Sequence, residues 1–158
     1  MRTKIALLML AVAVAAVPTV ARAEAPVTSP AMAPVSTGDK VRLGYSAAQV
    51  LDRLGLPSFT TTYDAYVVWH YTDQGMFLMV NETQGVVGIF FVTRDAGRVD
   101  GLRVGDDFDK VMDKWGSPTA WNGDIAIFAG DDVHVLVEVS IDQVTLIGMT
   151  LASIDGLE

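Results

Sequence analysis

A serine at a helix start, two histidines and a cluster of aspartates are the residues of this 158-residue chain whose types could do chemistry. Ser46 lies in Gly44-Tyr45-Ser46-Ala47-Ala48, a strand-to-helix turn between small residues, which is the local setting of a hydrolase nucleophile. Such a nucleophile needs an imidazole base within hydrogen-bond reach, and only His70 and His134 can supply one. Both fall inside predicted strands. Two histidines with no cysteine and no clear carboxylate ligand set do not make a zinc site. Asp106, Asp107, Asp109 and Asp113 gather where a calcium ion would find oxygens, but the spacing lacks the D-x-D-x-D-G loop with its distal Glu. Asp131 and Asp132 fit a solvated turn. Gly101-Leu102-Arg103-Val104-Gly105 lacks the lysine and the spacing of a phosphate loop. No metal and no cofactor is expected.

The element that must position Ser46 comes back later in the chain. LGYSAAQVLDRLGLP, from Leu43 to Pro57, recurs as VGDDFDKVMDKWGSP from Val104 to Pro118, a shift of 61 positions that sets Gly44 on Gly105, Val50 on Val111, Gly55 on Gly116 and Pro57 on Pro118. The residue equivalent to Ser46 is Asp107, which can cap a helix but cannot replace a serine nucleophile, so both are read as N-caps. Gln49, three residues after Ser46, completes a capping box, and the Asp107 carboxylate is expected to accept the same amides. Val50, Leu51 and Leu54, like Val111, Met112 and Trp115, recur at helical spacing and face a core. Gly55 and Gly116 are expected to stop the helices in the left-handed conformation, with a proline two residues on.

Strands are predicted at Phe59–Thr62, Tyr66–Tyr71, Met76–Val80 and Val86–Thr93, joined by short turns as an antiparallel meander. After the polar connection 94–101, the second unit repeats the order. Its helix runs from about Asp107 to Trp115, and its strands include Ile125–Phe128, Val133–Ser140 and Val144–Ala152. Asn122-Gly123 is the favoured type I′ hairpin pair. The expected fold is α+β, two tandem repeats (40–97 and 98–158), each a short helix followed by a β-meander, with helices covering one sheet face.

Residues 1–23 have a basic start at Arg2 and Lys4, an apolar run from Ile5 to Val17 and an Ala21-Arg22-Ala23 cleavage site, the pattern of a secretory signal peptide cut after Ala23. Residues 24–39, rich in proline, alanine, serine and threonine, read as a linker. From Glu24 onward 19 acidic residues face 8 basic ones, a net charge of −11. That surface repels phosphate backbones, so nucleic acid is excluded as a partner. No membrane span remains after signal cleavage, and a periplasmic or secreted protein is expected.

The pattern of apolar-x-apolar-Gly, a cap residue, Val, Gly-x-Pro and then a Trp-x-Tyr strand is carried here by Gly44, Val50, Gly55, Pro57, Trp69 and Tyr71, and again by Gly105, Val111, Gly116 and Pro118. It resembles the repeat of the β-lactamase-inhibitor-protein-like and outer-membrane-assembly lipoprotein group. The tandem layout is also similar to the domain that precedes CAP-type secreted domains in some bacterial proteins. The likeness spans nearly all of residues 40–152 and implies a fold. The chain has neither the lipid-bearing cysteine of the assembly lipoproteins nor the disulfides of the inhibitor proteins.

Parity places the expected binding surface. Trp69 and Tyr71 share a face with Phe128 of the second repeat and are expected under the helices. The opposite face then carries Tyr66, Val68 and His70, joined by Phe77 and Met79. Aromatic, methionine and histidine side chains on an uncovered sheet would suit a protein-binding patch. Tyr66 and His70 are therefore expected to be dispensable for the fold, and Tyr71 is not. The function expected is an exported, non-catalytic module that binds another protein or a cell-envelope component through this open face. The alternative expected for this face is burial, by the second repeat or by a homodimer mate. The competing reading is a small hydrolase or metal-dependent enzyme using Ser46, His70 or His134.

Overall fold

A computed structural model describes residues 40–153, and the expected signal segment 1–23, the expected linker 24–39 and the tail 154–158 lie outside the described residues. Among the described residues two α-helices, α1 (Ala47–Leu54) and α2 (Phe108–Trp115), each precede four of eight strands, β1 (Phe59–Thr62), β2 (Val67–Tyr71), β3 (Met76–Asn81), β4 (Gly85–Phe91), β5 (Ala120–Asn122), β6 (Ile125–Ala129), β7 (Val133–Ser140) and β8 (Gln143–Leu151), with a single 3-10 turn at Thr72–Gln74. All eight strands form one antiparallel sheet in the order β1-β2-β3-β4-β8-β7-β6-β5. The α+β class is as expected. Each half supplies one helix and four strands, and the halves meet where β4 pairs with β8, Gly88 opposite Thr150 and Phe91 opposite Ile147.

The helix ends follow from their cap residues, with two corrections. Ser46 makes the full capping box: its Oγ accepts from Gln49 N–H at 3.3 Å while Gln49 Oε1 accepts from Ser46 N–H at 2.9 Å. Asp107 makes no side-chain cap hydrogen bond, so its carboxylate acts on α2 only through the field at the helix start. Gly55 and Gly116 close the helices by donating to Leu51 O and Met112 O, but at φ 75° with ψ of −164° and −157°. That is the extended positive-φ region that glycine alone adopts readily, and not the left-handed helical stop.

Each helix entry is strapped to a strand by the same pair of hydrogen bonds. Gly44 N–H donates to Val86 O and Val86 N–H to Tyr45 O; in the other half Gly105 N–H donates to Val144 O and Val144 N–H to Asp106 O. The strap requires close approach, since a Cβ on Gly85 would overlap the Tyr45 carbonyl. β-Bulges recur in register as well, between Met79 and Val80 opposite β4 and between Glu138 and Val139 opposite β8.

The type I′ turn lies elsewhere than Asn122-Gly123. Asn122 pairs with Ile125, so Gly123 and Asp124 are the central residues and only Gly123 has positive φ, 57°. Gly at the first central position is the pattern of a type II′ turn. Positive φ at both central residues occurs instead at Ile141 (49°) and Asp142 (60°), between the paired Ser140 and Gln143.

Side chains alternate between two buried clusters. On the helix face Val50 of α1 and Val111 and Trp115 of α2 pack with Tyr71, Leu78, Ile89, Phe91, Phe128, Val135 and Ile147, and Trp69 borders them half-buried. Tyr71 and Phe128 are thus core residues as parity required. Tyr71 also donates its hydroxyl hydrogen to Gly55 O at 3.1 Å, tying β2 to the end of α1. The other face gathers Tyr66, Val68, Phe77, Met79, Val87, Phe90, Ile125, Ile127, Leu136 and Leu146.

At the centre of that second face the Phe90 ring leans across the strand boundary onto Gly148, where an added Cβ would overlap the ring and the Ile89 carbonyl. Gly148→Ala is therefore expected to lower stability by ~2 kcal/mol or more, as overpacking at a rigid backbone contact. Urea denaturation checks it, and an unchanged midpoint would show that the β4 to β8 junction has slack.

Candidate functional site

The three side chains of the hydrolase reading are not brought together. Ser46 sits at the start of α1 on the helix face with its Oγ engaged in the capping box. His70 shares its parity with Val68 and His134 with Leu136, both members of the opposite-face cluster, so the sheet lies between either imidazole and the serine. His70 is 1% exposed, and its Nε2 lies 3.3 Å from Thr61 Oγ1 while its Nδ1 is buried without a partner. His134 Nδ1 is likewise buried and unpartnered. Burial pushes both imidazoles below their ordinary 6.5, in His134 against a smaller opposing effect of a hydrogen bond to the Val133 backbone. The His70 ring, enclosed within the sheet face, is a poor general base for a substrate it cannot touch, and His134 is partly buried.

The five residues expected on an open face, Tyr66, Val68, His70, Phe77 and Met79, occupy the expected face but are all buried. The reason is lateral packing. Phe59, His70, Phe77 and Phe90 stand in register on β1, β2, β3 and β4 and stack across the strands at centroid separations of 4.1, 5.9 and 4.9 Å. Contacts of this kind contribute roughly 0.5–1.5 kcal/mol each, of the same order as the roughly 1–3 kcal/mol cost of the unpartnered His70 nitrogen. His70 is thus held by its neighbours and is not displayed to a partner. Tyr66 packs beside Tyr63, and desolvation, with a smaller contribution from Tyr63, pushes its hydroxyl up to about 12. Tyr66 and His70 are thus both interior residues.

Of the aspartate cluster, Asp106 has a structural role. Asp106 is buried, and its Oδ1 meets Arg94 at 3.8 Å, Arg103 at 4.0 Å and Lys110 at 3.8 Å while its Oδ2 accepts from Arg103 N–H at 3.2 Å. One carboxylate so fastens the connection between the halves to α2, and three cations leave no need of a metal there. Asp100 accepts from Trp115 Nε1 at 3.2 Å and pairs with Lys114 at 3.2 Å. Among the described residues no group of three or more His, Cys, Asp or Glu side chains could hold a metal ion.

One concave feature of the helix face is a cleft of about 480 Å³ between the start of α1 and the β3–β4 hairpin. Its lining includes Val67, Trp69 and Val80 on the sheet, Ser46 and Ala47 on the helix, and Asn81 to Gly85 on the hairpin. Asn81 shapes that wall. Its Oδ1 accepts from Thr83 N–H, Thr83 Oγ1 and Gln84 N–H at 2.8 to 3.0 Å, and its Nδ2 donates to Ala65 O at 2.7 Å. The lining thus sets a half-buried indole beside amide and hydroxyl groups, with Glu82 its single charged residue. Sequence reasoning placed Trp69 in the core. The signal that would have found the cleft is the repeat itself, because Ala126 on β6 stands where Trp69 stands on β2.

Two outcomes follow from these environments. Ser46→Ala should lower stability by ~1 kcal/mol and Ser46→Asp by much less, because either oxygen can cap α1; thermal melts decide it. Both histidines have folded pKa values below 6.5, so the unfolded chain binds more protons as pH falls below that value, and stability is present above it and lost on the acid side. The melting temperature should fall in that window, and the fall should shrink in His70→Phe/His134→Leu. A difference between the two proteins that does not vary with pH would mean that the imidazoles titrate normally.

No protein-family model and no curated protein matches the chain in sequence. Similar solved structures exist at low identity. A cysteine-rich secretory protein from Staphylococcus aureus subsp. aureus Mu50 is matched at 12% identity and TM-score 0.50 over 68% of this chain and 44% of that one. A DUF4309 family protein from Bacillus subtilis subsp. subtilis str. 168 is matched at 8% identity and TM-score 0.50 over 72% and 83%. An extracellular protein containing a SCP domain from Bacillus anthracis str. Ames is matched at 10% identity and TM-score 0.47, over 83% of this chain and 50% of that one. The chain thus spans half or less of the two SCP-type and secretory proteins. The likenesses at TM-score 0.50 are of fold alone.

Proposed function

We propose that this chain is an exported, non-catalytic binding module, built of two copies of a helix-plus-meander unit, whose partner enters the cleft floored by Trp69. The partner is another protein or a cell-envelope component. The observation that carries the reading is the conjunction at that cleft: an accessible indole, a hairpin wall held rigid by Asn81, and a serine whose hydroxyl already caps a helix. Recognition needs a shaped surface with a few fixed polar groups, whereas hydrolysis needs a base that reaches the nucleophile. Here both imidazoles lie beyond the sheet. Export rests on the signal pattern of residues 1–23 and accords with the absence, among the described residues, of any helix long and apolar enough to cross a membrane.

The test is affinity capture from the native cell envelope with the exported protein and Trp69→Ala. Trp69→Ala should melt within a few degrees of the parent and lose the captured partner. The same partners retained by Trp69→Ala would remove the cleft from the reading. Turnover of ester, peptide or glycoside substrates that disappears in Ser46→Ala would replace the binding module with an enzyme. N-terminal sequencing of the exported protein should find Glu24 first, and its mass in solution decides whether a second copy takes part.

A further inference from the structure

The opposite end of the sheet carries an exposed aromatic surface that the fold does not use. Trp121 on β5 is 51% exposed and packs on Phe108 of α2, with ring centroids 5.5 Å apart. It points to the helix face, opposite the buried Ala126, at the edge of the sheet where β5 pairs with β6 alone. The β7–β8 turn meets the same place, since Phe108 N–H donates to Asp142 O at 2.8 Å and Asp107 bridges to Gln143. At the tip of that turn Ile141 is 93% exposed at φ 49°. A β-branched side chain in the left-handed region is strained, and one that contributes nothing to a core has no folding reason to be there.

The second half of the chain is the more acidic. Residues 98–153 contain ten Asp or Glu and four Arg or Lys, whereas residues 40–97 contain five and four. Of the four bases, Arg103 and Lys110 are drawn to Asp106 and Lys114 to Asp100. Asp107, Asp124 and Asp142, on the three segments that converge beside Trp121, are exposed and make no ion pair among the described residues. Val139 N–H, donating to Asp124 O at 2.9 Å, holds the β5–β6 turn against β7 at this end.

We infer that the Trp121–Phe108–Ile141 surface, ringed by Asp107, Asp124 and Asp142, docks a basic segment of a partner protein, with an Arg or Lys side chain laid over the Trp121 indole. An aromatic face attracts a cation, Trp most strongly, and neighbouring carboxylates raise the local concentration of a basic segment and set its orientation. The free edge of β5 lets an extended segment approach without a clash. The inference rests on the binding-module reading but not on the Trp69 cleft, so one assay separates them.

The probe is a fluorescently labelled arginine-rich hexapeptide, with a glutamate-rich hexapeptide as control, titrated by anisotropy against the exported protein. Saturable binding that weakens with salt is expected for the first and none for the second. Trp121→Ala should weaken it about tenfold, and Trp121→Leu, which keeps the apolar contact with Phe108 but has no π face, nearly as much. Asp124→Asn/Asp142→Asn should weaken it several-fold and flatten the salt dependence. Trp69→Ala should leave peptide binding unchanged. Ile141→Asn should melt at a higher temperature, because asparagine tolerates positive φ, while binding the peptide less tightly. Wild-type affinity in Trp121→Ala would mean adsorption to the acidic surface at large and would overturn the inference, as would failure of the arginine peptide to bind. Trp121-dependent self-association without peptide would overturn it in favour of a second copy of this chain. Loss of peptide binding in Trp69→Ala alone would move the site to the cleft.

Discussion

The pairing of β4 with β8 is the constraint on which the rest of the molecule depends. Two four-stranded meanders become one eight-stranded sheet only through that ladder. Both hydrophobic clusters run across it, Ile89 and Phe91 beside Ile147 and Met149 under the helices and Phe90 over Gly148 on the far side. A side-chain hydrogen bond adds to it, the buried Thr150 hydroxyl donating to Val87 O at 3.0 Å. A short meander with one helix buries too little apolar surface to be stable by itself, so joining the sheets lets each half use the other as core.

Most groups that looked chemical are engaged in this assembly. The Ser46 hydroxyl caps α1, Asp106 draws three cations onto the link between the halves, and Asp100 holds Trp115 in place. His70 is stacked between phenylalanines on a face with no access to the serine. What is left to meet the outside lies near the starts of the two helices, where straps of the same kind fix helix against hairpin. The two places differ in chemistry because the halves diverge: a tryptophan on β2 with an amide-rich hairpin in one, and a tryptophan on β5 among carboxylates in the other.

Much of the fold was legible from local rules. The capping box at Ser46, the glycine stops, the parity that sends Tyr71 and Phe128 under the helices and Phe77 and Met79 to the opposite face all depend on residues within a few positions of one another. Expectations failed where a partner distant in sequence decided. Asp107 makes no cap hydrogen bond, its backbone being engaged with Gln143 instead. Asn122-Gly123 has the composition of a type I′ turn, but the register of β5 on β6, set by packing, moves the turn one residue on. The unfavourable pair Ile141-Asp142 holds the I′ conformation, because β7 and β8 pair on both sides of it and its carbonyl serves α2.

The sequence by itself determined the α+β class and the face on which the strand residues lie. Those properties follow from period and caps, which are local. Exposure was decided only in three dimensions. Tyr66, Val68, His70, Phe77 and Met79 lie on the face that parity assigns, yet their burial depends on rings leaning across four strands and on Gly148 leaving room for Phe90. Parity gives a direction but not a neighbour, and whether a side chain pointing away from the helices meets water or another ring depends on which strands the sheet brings beside it.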